Sequence, residues 1–142
     1  TAVQLARHFG AKVTGVCSTP NLDLVRSLGA ESAIDYTKED YSKRNERYDL
    51  ILDAVPLFVA NNKNFKKQAR SALAPKGKFI SINDGSPTPN MDDLLFLKDL
   101  VESGKYKPVI DRSYTLEQIV EAHKYVETGH KKGNVVITVE HN

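Results

Sequence analysis

The sequence predicts an α/β fold on a parallel sheet, and three observations carry that prediction. Short β-branched or apolar runs alternate with helical patterns along the chain. Those runs are apolar enough for burial on both faces, as in strands flanked by helices. Glycines stand where helices should close, at Gly10, Gly29, Gly104 and Gly129. In such a fold, right-handed crossovers place ligands at the carboxyl ends of the strands.

The elements follow in order. Thr1–Phe9 reads as a helix, with Val3, Leu5, Ala6 and Phe9 apolar and Gly10 at its end. Ala11–Ser18 is a β-branched strand in which Gly15 predicts close backbone approach by another part of the molecule. Pro20 and Asn21 break it, and Leu22–Leu28 forms a short helix. Ser32–Tyr36 is a second strand. The stretch from Thr37 to Arg47 carries seven charges in eleven residues and reads as a solvated loop or frayed helix. Tyr48–Val55 is nearly continuous apolar, the pattern of a buried parallel strand. A helix over Phe65–Leu73 precedes a strand at Lys78–Asn83, and Ser86–Asn90 is a breaker segment. Asp92–Ser103 is a helix with Leu94, Leu97, Leu100 and Val101 on one face. Leu116–Thr128 is another, opened by a capping box of Thr115 and Gln118, with Ile119, Val120, His123 and Val126 inward. Asn134–Val139 is expected to be a last buried strand.

Composition excludes several classes. The 142 residues are 27% charged and 40% hydrophobic with a net charge of +2, a globular balance without a basic stripe for nucleic acid. The single cysteine, Cys17, rules out an internal disulfide and any multi-cysteine metal site. No apolar run has the length of a membrane span, and no signal peptide is visible, so a soluble, cytoplasmic protein is expected. His8, His123, His130 and His141 include no pair at helical spacing, so no metal site is expected. His123 reads as a core histidine and Cys17 as a small buried apolar residue. Asp35 and Asp53 lie in strands without a paired partner for acid–base work. The nucleophile elbow and the P-loop are both absent from the sequence.

A dinucleotide site can be checked directly. None of the eight glycines has the G-x-G-x-x-G spacing. The helix that such a loop would feed is Thr1–Phe9, whose first backbone N–H groups would face a pyrophosphate. An NAD-binding fold places Asp or Glu at the end of the next strand. This chain has Cys17, Ser18 and Thr19 there, with Asn21 beyond. Small donors without a carboxylate favour NADP(H) over NAD(H); the alternative, Ser18 or Thr19 capping the following helix, stays open. Tyr36 ends the neighbouring strand and either flanks the same adenosine or packs. Val55 with Pro56, and Ser81, Ile82 and Asn83, end the next two strands, where the nicotinamide half would lie. Each of these can equally be a strand end entering a loop.

The segments AVQLARHFGAKVTGVCST, LVRSLGAESAIDYTKEDY, YDLILDAV, LAPKGKFISI and LVESGKYKPVIDRSYTLEQIVEAHKYVETGHKKGNVVITV follow one another in order. Together they resemble the cofactor-binding and C-terminal regions of medium-chain dehydrogenases/reductases, in the NADPH:quinone oxidoreductase-like branch. The resemblance implies a Rossmann-like doubly wound parallel sheet that is incomplete, lacking its first strand and glycine loop. It divides the chain into residues 1–106, a partial NADP(H)-binding domain, and 107–142, a segment returning to a GroES-like catalytic domain outside this chain. It also implies hydride transfer from NADPH to a quinone or α,β-unsaturated carbonyl, in a parent that is homodimeric. By motif position, Ser18, Thr19 and Asn21 would meet the 2′-phosphate, with Tyr36 beside it. Val55 and Ser81–Asn83 would approach the nicotinamide ribose. No catalytic residue is assigned within the chain.

Three departures from the family pattern stand out. Pro20 and Asn21 occupy the place where better-known quinone reductases carry a basic residue. Pro56 replaces the glycine of D-A-V-G. The segment between Asp84 and Met91 is short by a helix and a strand. In strand order 3-2-1-4-5-6 the missing strand is the central one, so the sheet is expected to split by roughly 10 Å, two inter-strand spacings. Apolar strands would then show unpaired edges. The expectation is a fragment of a parent roughly twice as long, inert by itself. The competing reading is a non-catalytic nucleotide-binding or interaction module. A methyltransferase reading lacks its glycine loop and strand-end acid.

Overall fold

The computed structural model describes residues 1–55, 63–85 and 88–139. Pro56, the Ser86–Pro87 part of the breaker segment and His141 therefore lie outside the described residues. The described strands are β1 (Thr14–Cys17), β2 (Ser32–Asp35), β3 (Tyr48–Asp53), β4 (Leu73–Ser81), β5 (Ile110–Thr115) and β6 (Asn134–Thr138). The α-helices are α1 (Ala2–His8), α2 (Leu22–Ser27), α3 (Lys63–Ser71), α4 (Met91–Glu102) and α5 (Ile119–Glu127).

The strands pair in parallel as three two-stranded sheets, β1 with β2, β3 with β4 and β5 with β6. A parallel pair requires a crossover, and α2, α3 and α5 supply one to each, giving three strand–helix–strand units. The expected split of the sheet is observed, since β1 and β3 belong to different sheets.

Local chemistry explains the first unit. Gly10 closes α1 at φ +81°, and the next amide, of Ala11, bonds back to the Ala6 carbonyl at 3.0 Å. The close approach predicted at Gly15 comes from α2: a Cβ there would lie 2.2 Å from Val25 Cγ1. Helix α1 is tied to the chain beyond α4 by Gln4, whose amide donates to the Lys107 carbonyl and accepts from its N–H, both at 2.9 Å. The Thr1 and Tyr106 hydroxyls meet at 2.8 Å, and Phe9 stacks on Phe96 with centroids 5.9 Å apart.

The main apolar cluster joins Ile34 of β2, Tyr41 and Ala72, with Tyr48 and Ile51 packed against it. Tyr41 corrects the reading of Thr37–Arg47 as a solvated loop. A 3-10 turn over Tyr41–Lys43, capped by the Asp40 carboxylate on the Ser42 N–H at 3.0 Å, folds that tyrosine into the core. Most of the charges stay exposed, with Asp40 and Arg44 half-buried, and one aromatic side chain anchors the segment.

Several burial expectations are also corrected. Tyr48–Val55 is parallel but not buried on both faces: Ile51 packs on the cluster, while Leu50 and Leu52, on the opposite face, are 56% and 46% exposed. One β-strand neighbour and one helical layer cannot cover two faces. On α4, Leu100 is buried and Leu97 half-buried, but Leu94 and Val101 are exposed. On α5, Ala122 is the buried residue, whereas Ile119, Val120, His123 and Val126 are exposed, so His123 is not a core histidine. Strand β6 alternates half-buried and exposed positions rather than being buried throughout.

Two boundaries also move. Helix α3 ends at Ser71, and β4 begins at Leu73, taking in Pro75 and Gly77 through an irregularity opposite Tyr48 and Leu50. At Gly77 a Cβ would lie 2.6 Å from the Tyr48 carbonyl oxygen, so a side chain is excluded there. Strand β5 was not predicted from the sequence, because Asp111, Arg112 and Ser113 interrupt any apolar pattern.

Candidate functional site

The sequence-predicted residues form two groups at the carboxyl ends of the strands. The first lies past β1 and β2. A 3-10 turn over Thr19–Asn21 leads from β1 into α2. Its Ser18 position accepts no cap bond on its side chain, and the Thr19 hydroxyl donates instead to the Asp35 carboxylate. The capping alternative for these two side chains is therefore not what the structure adopts. The Asn21 amide donates to Ser18 Oγ at 3.2 Å, which joins these two polar groups. Tyr36 continues β2, its N–H bonded to the Cys17 carbonyl at 3.2 Å, and its side chain is 46% exposed. It borders a cavity of about 250 Å³ shared with Lys38, Asp40 and Gln68.

Asp35 is the residue that sequence reasoning passed over. It is buried, and it binds the Thr19 hydroxyl, the Thr37 hydroxyl at 2.6 Å and the Thr37 N–H at 3.0 Å, with Lys38 Nζ at 3.8 Å. The Thr19 hydroxyl first, and the Thr37 hydroxyl next, hold its carboxyl below the usual carboxylate range against the opposing effect of burial. A carboxylate therefore does stand beside Thr19, contributed by the neighbouring strand and saturated by donors. The Asp-x-Thr spacing of Asp35 and Thr37, an Asx-type turn, was the available signal. Cys17 is partly buried, and desolvation pushes its thiol up, with the Asp35 charge adding to the effect.

The second group links the ends of β3 and β4. Ser81 is buried, and its hydroxyl donates to Asp53 at 3.1 Å while accepting from the Asn83 N–H at 3.2 Å. The Asn83 amide reaches the Val55 carbonyl at 2.8 Å, and Asp53 accepts from the Val55 N–H at 3.1 Å. The structure thus brings Val55, Ser81 and Asn83 into one hydrogen-bonded knot, with Asp53 as a further member not singled out from the sequence. Ile82 is 49% exposed, and its N–H bonds the Asp53 carbonyl at 3.0 Å.

One more contact reaches the first group from far along the chain. Lys132 Nζ donates to the Pro20 carbonyl at 3.2 Å, across a separation of 112 residues. No sequence signal connects these positions.

Parallel strand–helix–strand units with polar groups gathered beyond the strand ends define a Rossmann-type nucleotide-binding architecture. Similarity to known proteins makes that class specific. A family model described as zinc-binding dehydrogenase matches residues 1–107, and a second of the same description matches residues 84–137. The chain belongs to this family, within the quinone oxidoreductase-like branch of the medium-chain dehydrogenases/reductases.

Among curated relatives, the NADPH-dependent alkenal/one oxidoreductase of Arabidopsis thaliana chloroplasts is 38% identical over 95% of this chain and 36% of its own length. The trans-enoyl reductase pgmF of Aspergillus terreus is 48% identical over 81% of this chain and 40% of its own. Among solved structures, the quinone oxidoreductase of Coxiella burnetii matches with a TM-score of 0.72 and 25% identity, over 98% of this chain and 48% of that one. The chain thus spans between about a third and a half of the length of these proteins.

The family name invokes zinc. Among the described residues, no three His, Cys, Asp or Glu side chains gather closely enough to hold a metal ion. The described residues do not fit a zinc site. No described helix is long and apolar enough to cross a membrane.

Proposed function

We propose that this chain is the NADP(H)-binding portion of a reductase acting on α,β-unsaturated carbonyls or quinones. Residues 1–106 form the partial cofactor domain, and 107–142 form the segment that returns to a catalytic domain. The observation that carries the reading is the pair of strand-end groups: donors without a carboxylate of their own past β1, and the Asp53–Ser81–Asn83 knot past β3 and β4. The relatives, an alkenal/one oxidoreductase, a trans-enoyl reductase and a quinone oxidoreductase, support the same chemistry. Bound NADPH supplies a hydride; the protein binds it, orients it and shapes the cleft.

In this reading Ser18 and Asn21 present donors to the 2′-phosphate. Thr19 is held by Asp35 and fixes the path of the loop, and Tyr36 flanks the adenosine. The knot of Val55, Ser81 and Asn83 sets the backbone that approaches the nicotinamide ribose, with exposed Ile82 lining it. The donor set fits a phosphorylated ribose, since two neutral donors lie within one turn of a strand end.

The proposal extends to a homodimeric parent, for which the exposed apolar residues of α4 supply contact surface. It also extends to a cytoplasmic location; chloroplast and mitochondrial relatives make organelle fractions the comparison to run.

The test is NADPH oxidation by the full-length protein with an enone and with a quinone, alongside fluorescence titration of NADPH and NADH. Turnover with either acceptor and tighter NADPH binding are expected. Absence of both turnover and nucleotide binding would overturn the reading in favour of a non-catalytic module.

A further inference from the structure

We propose that the basic face formed by α3 and the first half of β4 is a docking surface for an anionic phospholipid bilayer. The inference goes beyond the cofactor reading above and does not depend on it.

Charge is unevenly spread along the chain. Between Asp53 and Asp84 there are six lysines and arginines and no acidic residue. The rest of the chain holds 14 basic against 18 acidic residues, so the overall +2 hides a basic block on an acidic background.

The fold turns that block into a surface. Lys66 and Lys67 stand four and three residues before Arg70, so the three are neighbours on α3, and all are exposed. The Arg70 guanidinium lies 5.8 Å from the centroid of the Phe79 ring, which brings the helical cations against β4. There Lys76 and Lys78 are exposed on either side of Gly77. Gly77 lies so close to the Tyr48 carbonyl that a Cβ would stand 2.6 Å from its oxygen, which fixes the backbone between the two lysines.

These cations are unmatched. Arg7, Arg26, Lys38, Arg44 and Lys98 each pair with a carboxylate. Among the described residues, none of Lys66, Lys67, Arg70, Lys76 and Lys78 does.

The pattern selects the partner. Charges of both signs fix the register of a protein–protein contact, and this face carries one sign. Single-stranded nucleic acid stacks its bases on open aromatic rings, but Phe79 is half-buried beneath Arg70. A layer of anionic headgroups requires neither register nor stacking. Each lysine or arginine close to it strengthens binding about fivefold. Such contact stays in the headgroup layer and weakens with salt.

The experiment is co-sedimentation of the full-length protein with vesicles of phosphatidylcholine, alone or with about a third phosphatidylserine. Binding to the anionic vesicles only is expected, and its loss in about 1 M salt, where the Debye length is about 3 Å. K66Q/K67Q/K76Q/K78Q is expected to weaken it on the order of a hundredfold, and K66Q/K67Q roughly tenfold. K12Q/K98Q/K105Q/K124Q makes the same charge change on other elements and keeps most of the binding. Urea midpoints equal to wild type show that a variant is folded, and K66Q/K67Q, on an exposed helix face, decides the matter where the fourfold variant does not fold. A wild type that ignores anionic vesicles overturns the proposal, as does an equal loss in the control variant, which leaves only net charge. Capture of a single-stranded RNA in place of the vesicles at the same salt overturns it in favour of nucleic acid. Failure of the cofactor reading shows separately, as absent NADPH binding with vesicle binding intact.

Discussion

Substituting Gly15 tests how the first cofactor-site turn is held. The Cβ of an alanine at this position would lie 2.2 Å from Val25 Cγ1, against about 3.5–4.0 Å for carbon atoms in contact. Helix α2 or strand β1 must therefore shift by more than about 1 Å. Overpacking of this size costs roughly 1–3 kcal/mol. Val25 is only partly buried, so V25A alone, which removes two methyl groups, costs no more than about 1 kcal/mol, below the roughly 1.6 kcal/mol that two fully buried groups would lose. In the double variant the clash is gone, and G15A/V25A should be more stable than G15A, with a coupling energy of about 1–2 kcal/mol. Urea unfolding of the four proteins measures it, with midpoints compared at constant slope. Because the 3-10 turn carrying Ser18 and Asn21 links β1 to α2, NADPH affinity should fall in G15A and recover in the double variant. A G15A as stable as wild type, or a double variant whose losses simply add, would refute the proposed packing of α2 on β1.

Two further outcomes follow from the hydrogen-bonded groups. The Asp35 carboxyl is held below its ordinary range, so its contribution to stability is complete above the unfolded carboxylate pKa of about 3.9 and is lost as pH falls through the lower folded value. D35N should therefore be less stable than wild type near neutral pH, with the difference shrinking in acid; a difference independent of pH would show that the charge of Asp35 is not what holds Thr19 and Thr37. At the other group, S81A removes a buried hydroxyl that bonds Asp53 and Asn83 and should cost about 1–2 kcal/mol. It should also lower hydride-transfer rate more than adenosine affinity. An S81A protein with wild-type stability and kinetics would remove the knot from the site.

Much of the fold was legible because it depends on local pattern. The helices around Leu5, Leu24, Leu100 and Ala122 and the strands around Val16, Ile34, Ile51, Phe79 and Val135 all appear near their expected positions. The capping box at Thr115 and Gln118 forms, with Gln118 Oε1 on the Thr115 N–H at 3.1 Å. Strand β5 was hidden because Asp111 and Arg112 serve long-range partners, Tyr125 and the Lys132 amide, rather than a hydrophobic face. Tyr41 was hidden because its neighbours are charged and only its ring turns inward. The candidate site was legible as positions past strand ends. Its internal wiring was not, since Asp35 and Asp53 look alike in sequence and acquire different partners in space.

By itself the sequence determined the alternation of strands and helices, the parallel pairing it implies and the family resemblance. These follow from hydrophobic period, caps and motif order, all of which act over a few residues. Only the tertiary structure decided which apolar faces are covered, that Val25 is what requires Gly15, that Thr19 is committed to Asp35, and that Lys132 reaches Pro20. Such contacts join residues far apart in the chain, and their existence depends on how separate units pack, which no local pattern encodes.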